Sequence, residues 1–185
     1  MAQVNIGPLE DEKWDVITGN EKMAEALNRY FVSIFTVGDT NNIPKIDDRM
    51  AKAGVDLETI IITREIVLGK VMVLKVDNSP GPDGMHPRVL KVMAGEIANA
   101  LVVIYQNSLD SGVVPANWKT VNATPLLKKG GTQKAGNYRP VSLTSVAGKM
   151  LESIIKEEIA RYLDINCPIG KMQQGFMKGR SCLTN

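Results

Sequence analysis

Residues 118–144 read "WKTVNATPLLKKGGTQKAGNYRPVSLT" and hold the clearest β signal in the chain. Two segments of strand character, 118–127 and 138–144, flank a segment that has no acid and three lysines, Lys128, Lys129 and Lys134. Gly130 and Gly131 between the lysines, and Gly136 and Asn137 after them, interrupt regular structure. This pattern predicts a hairpin finger with a flexible basic tip. Pro125 has no N–H to donate, so its strand belongs at an edge or carries a bulge. Lysine supplies a point charge and Arg139 a bidentate fork, the two donor types that hold phosphate.

Outward from the hairpin, the charge divides the chain unequally. The net charge is +2 over 185 residues. Residues 1–110 carry 11 Lys and Arg against 16 Asp and Glu, and residues 111–185 carry 11 against 4. No acid lies between Asp110 and Glu152, yet Lys119, Lys128, Lys129, Lys134, Arg139 and Lys149 all fall there. Such asymmetry points to a polyanionic partner for the C-terminal half, against the blander alternative of a solvated basic face.

Helical periodicity accounts for much of the rest. "SVAGKMLESIIKEEIARYLD" (145–164) is the strongest pattern, with Ala147, Leu151, Ile154, Ile155, Ile159 and Tyr162 on one face. "TGNEKMAEALNRYFVSIFT" (18–36) predicts a packing helix opened by a Thr18/Glu21 capping box. Residues 38–58 have loop composition, and "TREIVLGKVMVLKV" (63–76) predicts a helix with Thr63 as its N-cap. "NSPGPDGMHPRVL" (78–90) must be turns up to His86, with Asp83 capping a backbone N–H. Turns of this kind can align N–H groups toward an anion. Pro87 suits the first turn of a further helix, broken near Gly95 and stopped by Gly112.

Several chemistries lack their residues. The single histidine, His86, lies among prolines in a turn, which does not suit the base of a hydrolase triad. Neither a Walker P-loop nor a GxGxxG fingerprint occurs. Two-metal phosphoryl transfer needs clustered carboxylates, whereas Asp47-Asp48 have no partner motif and Asp83 is single. Cys167 and Cys182 lack C-x-x-C spacing, so zinc is not expected, and two free thiols fit the nucleus or cytoplasm. No signal peptide or membrane-spanning apolar run is read in the sequence.

Three longer blocks then converge. "SPGPDGMHPRVLK" (79–91), "TPLLKKGGTQKAGNYRPVSLTSVAGKMLESII" (124–155) and "QQGFMKGRSCLTN" (173–185) closely resemble the reverse transcriptase of non-LTR retrotransposons, the LINE elements of the jockey and chicken-repeat type. "NIGPL" and "EKMAEALNRYFVSIFT" are similar to the segment between such an element's endonuclease and its polymerase. The resemblance covers nearly the whole chain. It implies an α+β fold: the fingers and the beginning of the palm of a right-hand polymerase, helix-rich with a small antiparallel hairpin, an incomplete domain. Residues 1–58 would be the linker segment with one helix, and residues 59–185 the fingers and early palm. By the same match, Lys128 or Lys129 and Arg139 contact the triphosphate of an incoming deoxynucleotide. Gly81, Asp83, Lys134, Lys149, Gln173, Gly175, Phe176, Lys178 and Arg180 lie along the RNA template and primer DNA.

Two positions depart from the family pattern. Met177 stands where an arginine is usual, and Gln174 where a histidine is common. The family's catalytic carboxylates lie beyond the last residue here, as do the rest of palm and thumb. Mg2+ is therefore expected only in a complete polymerase, and no catalytic residue is assigned. The expectation is a template- and nucleotide-binding fragment of an RNA-directed DNA polymerase. The alternatives are an inert remnant of a dead element and a domesticated RNA-binding module.

Overall fold

A computed structural model describes residues 6–11, 13–36, 38, 57 and 59–166. Its elements run in the order β1 (Leu9–Glu10), β2 (Val16–Ile17), α1 (Asn20–Ser33), α2 (Arg64–Met72), α3 (Pro87–Val92), α4 (Ala94–Ser111), β3 (Asn122–Leu127), β4 (Tyr138–Leu143) and α5 (Val146–Asn166). Single 3-10 turns occur at Ala116–Trp118 and Ala135–Asn137. The strands form two separate antiparallel pairs, β1 with β2 and β3 with β4. The described residues are thus helix-rich with small sheets, as an α+β fragment requires.

The larger core lies among α2, α3, α4 and α5. Val67, Val71, Leu90, Ala98, Leu101 and Tyr105 meet Val146, Ala147, Met150, Leu151 and Ile154 there. Burying side chains of this size stabilises the fold by about 1.5–3 kcal/mol each for the largest aliphatic ones. Tyr105 is fully buried and donates its hydroxyl to the Ala147 carbonyl at 2.8 Å. Burial pushes its phenol far above the ordinary value. Trp118 packs edge-on against it at 5.7 Å between ring centroids. Polar ties close the same core. Lys70 of α2 pairs with Glu157 and donates to Ser153 Oγ at 3.0 Å, both on α5. Gln106 of α4 accepts from the Ile62 N–H at 3.0 Å.

The helix ends follow local chemistry. Thr63 Oγ1 accepts from the Ile66 N–H at 3.4 Å, as the N-cap reading expects. Next to it, Glu65 has its carboxyl held below the usual range, chiefly by its own backbone N–H and then by the Thr63 side chain. Pro87 begins α3, with His86 Nδ1 accepting from the Arg88 N–H at 3.1 Å. Gly112 ends α4 in the left-handed region at φ 68°. The helix over 87–111 breaks at Met93, near Gly95 as expected, where φ −93° and ψ 14° leave helical geometry. One expectation needs correction. The Thr18/Glu21 capping box does not form. The cap position falls on Gly19, at φ 92°, and no side chain caps the helix there.

A second, smaller core joins the N-terminal elements to the hairpin. Leu9 of β1, Leu27 and Phe31 of α1, and Tyr138 of β4 are buried together. The predicted strand over 118–127 is shorter than expected. Trp118 closes a 3-10 turn, and β3 starts only at Asn122.

Candidate nucleic-acid interface

The hairpin is in continuous register from Asn122 opposite Leu143 to Leu127 opposite Tyr138. No bulge interrupts it, and Pro125 sits opposite Pro140. With two strands only, every strand is an edge, so both prolines are accommodated. Alternation places Arg139 on one face with Leu126, Thr124 and Val141. Tyr138 faces the other way, into the small core, and burial pushes its phenol up. Its inward neighbour fixes the direction in which Arg139 projects. Arg139 itself is exposed.

The tip is braced by hydrogen bonds from within the hairpin and from outside it. Lys128 N–H donates to the Asn137 carbonyl at 2.7 Å, and Asn137 Nδ2 donates to the Gly131 carbonyl at 2.7 Å. Tyr138 donates its hydroxyl to the Thr132 carbonyl at 2.8 Å. Gly130 takes φ 80°, and a Cβ there would stand 2.8 Å from the Asn137 amide. The N-terminal segment adds outside support. Glu10 N–H donates to the Gln133 carbonyl at 2.8 Å, Glu10 bridges Lys134 in parallel, and Gly136 abuts the Tyr30 ring. The ten residues 128–137 thus become a shaped platform through hydrogen bonds rather than through their own propensity.

On that platform Lys128, Lys129 and Lys134 are exposed, as is Lys149 in the first turn of α5. Among the described residues neither these lysines nor Arg139 has a carboxylate partner; the ion pairs lie at Lys70–Glu157 and Arg161–Glu158. Lys134 has a different neighbour, with its Nζ 4.9 Å from the centroid of the Trp14 ring. Trp14 was not singled out by periodicity or motif. Its signal is conformational, a positive φ, and is invisible in the residue string.

The Pro-Gly turn meets the base of the hairpin. Gly81 is buried, and a Cβ on it would stand 2.6 Å from Ser145 N and from the Thr144 carbonyl carbon and oxygen. Its contact is with backbone at the β4–α5 junction. Asp83 accepts from the Met85 N–H at 3.1 Å, the capping role expected of it. Ser145, also buried, accepts at its side-chain oxygen from the Gly148 N–H at 3.2 Å and starts α5. An open cleft of about 710 Å³ flanks this turn, lined by Asp77, Asn78, Ser79, Pro80, His86 and Arg88 among others. Gln173, Gly175, Phe176, Lys178 and Arg180 lie outside the described residues. Among the described residues, no group of three His, Cys, Asp or Glu could hold a metal ion. No helix there is long and apolar enough to cross a membrane.

No model of a known protein family matches the chain. Individual relatives do. The chain is 29% identical to the "RNA-directed DNA polymerase from mobile element jockey" of Drosophila melanogaster over 116 residues, 62% of this chain and 13% of that protein. It is 32% identical over 109 residues to the "Putative 115 kDa protein in type-1 retrotransposable element R1DM" of the same fly, 58% of this chain and 10% of that protein. The jockey polymerase of Drosophila funebris is 27% identical over 157 residues, 84% of this chain and 17% of that protein. The chain therefore spans less than a fifth of the length of these curated relatives.

Proposed function

We propose that this chain forms the fingers and the beginning of the palm of a retrotransposon reverse transcriptase, with the β3–β4 hairpin as its phosphate-holding element. One observation carries the reading: a braced hairpin presents exposed Lys128, Lys129 and Lys134 on its loop and Arg139 on β4, with no carboxylate partner among the described residues. Clustered cations repel one another, so a platform of this kind is at its lowest free energy with an anion on it. The relatives' printed names supply the anion's class, nucleic acid and its precursors.

In this reading Lys128, Lys129 and Arg139 hold the triphosphate of an incoming deoxynucleotide. Lys134 and Lys149 hold backbone phosphates of template RNA or primer DNA. Gly81 acts at one remove, by letting the Pro-Gly turn close against the base of the hairpin. Gln173, Gly175, Phe176, Lys178 and Arg180 are template contacts on the strength of the resemblance alone. No step of nucleotidyl transfer is assigned to the described residues.

The test is a salt titration of binding to single-stranded RNA. Neutralising about three to five phosphates gives a log–log slope of roughly −2 to −3.5. Arg139→Glu should weaken binding more than Arg29→Glu on α1. Salt-insensitive binding, or equal effects of the two reversals, would remove the hairpin from the site.

A further inference from the structure

The β1–β2 turn holds a residue that phosphate binding leaves unused. Trp14 lies at φ 68°, and no other non-glycine among the described residues has a positive φ. The left-handed region is unfavourable for a bulky side chain and needs surrounding bonds to persist. Asp11 provides them. Its carbonyl accepts from the Trp14 N–H at 3.1 Å, and its Oδ1 accepts from the Lys13 and Asp15 N–H groups at 2.8 and 2.9 Å. The strain is not offset by burial, because Trp14 is 68% exposed. It holds an indole out beside the basic loop, where Lys134 stands over the ring.

An exposed aromatic plane next to unpaired lysines is the combination that holds single-stranded nucleic acid, since each base offers a π-face and each linkage a phosphate. We infer that Trp14 is a stacking platform for one nucleobase of a single strand whose flanking phosphates lie on Lys134 and the neighbouring lysines. Lys134 serves both halves of the site. Its ammonium sits on the indole by cation–π attraction and remains a partner for the phosphate beside the stacked base. Stacking tolerates any base, so the site carries affinity without sequence preference.

This inference rests on the reading of the hairpin as a nucleic-acid surface, and the experiment separates the two. Wild type, Trp14→Gly and Trp14→Phe are titrated with a labelled twelve-nucleotide oligouridine RNA and with an abasic oligomer of equal length. Affinities are taken at several salt concentrations, well below every melting temperature. Glycine accepts φ 68° without strain, so Trp14→Gly should melt no lower than wild type. It should bind the RNA about 5- to 150-fold more weakly, the loss expected for one base–aromatic stack, with an unchanged salt slope. Trp14→Phe should keep most of the affinity, and the abasic oligomer should not distinguish the variants. If wild type binds the RNA in a salt-sensitive way and Trp14→Gly binds equally well, stacking is refuted and the basic loop stands. An equal loss on the abasic oligomer also refutes stacking. If wild type shows no salt-sensitive binding, the loop reading fails and the stacking inference fails with it.

Discussion

Gly81→Ala should be among the most damaging single-methyl changes available in this fold. The new Cβ would stand 2.6 Å from three backbone atoms of Thr144 and Ser145, where ordinary contact begins at 3.4 Å. The turn and the start of α5 must then separate by about 0.8 Å, the difference between those two distances. Backbone cannot rotate away as a flexible side chain can. Overpacking of this kind costs about 1–3 kcal/mol, reduced by about 0.4–1 kcal/mol because alanine restricts the unfolded chain. At roughly 2–4 °C per kcal/mol for a chain of this size, the melting temperature should fall by several degrees. Two other glycines calibrate the result. Gly69, on exposed α2 surface with nothing within 4 Å of a Cβ, should gain about 0.5–1 kcal/mol as alanine. Gly84 is equally open but sits at φ 69°, so its alanine variant pays for conformation alone. Urea unfolding followed by tryptophan fluorescence gives the three stabilities, and hydrogen exchange at the Gly148 and Lys149 amides locates the damage. If Gly81→Ala unfolds at the same urea concentration as wild type, the turn does not close on the β4–α5 junction as described.

Other outcomes follow from the same geometry. Tyr105→Phe removes the bond to the Ala147 carbonyl and should cost about 0.5–1.5 kcal/mol in urea unfolding, with RNA affinity unchanged. Thr63→Ala removes the α2 N-cap and should cost about 0.5–2 kcal/mol. The same change should raise the Glu65 pKa in an NMR titration, since Thr63 helps to depress it. Because that pKa is lowered on folding, the stabilisation it reports is present above the unfolded carboxylate's pKa. It disappears as pH falls through the folded value. Primer extension by residues 1–185 with deoxynucleotides and magnesium should yield no product; templated extension would show that metal ligands had been overlooked.

Local signals in the residue string were sound where one segment determined its own structure. The apolar face of α5, the Thr63 cap, the stop at Gly112 and the pairing of β3 with β4 are all of this kind. Reading failed where a neighbour one residue away took the role, as when Gly19 displaced Thr18 from the cap position. It failed more completely for β1 and β2, two-residue strands with too few positions to show alternation. Of the candidate site, the lysines and Arg139 were legible from charge. The bracing by Glu10 and Tyr30 was not, because it joins residues more than a hundred positions apart. The far end of the apolar α5 face also differs from a simple stripe. Ile159 is 42% exposed, and it borders an apolar groove with Ile155, Ala160 and Leu163.

The small core of Leu9, Leu27, Phe31 and Tyr138 has a consequence in time. Leu9 and Tyr138 are 129 positions apart. On a ribosome adding about 5–20 residues per second, Leu9 waits roughly 6 to 26 seconds before its partner exists. Helix α1 and the β1–β2 turn therefore emerge as an apolar surface without a seat, while the hairpin can zip from its own turn within microseconds of completion. The expected order of assembly is hairpin first and N-terminal clamp last. Pulse-labelling hydrogen exchange should show the amides of β3 and β4 protected before the Glu10 amide.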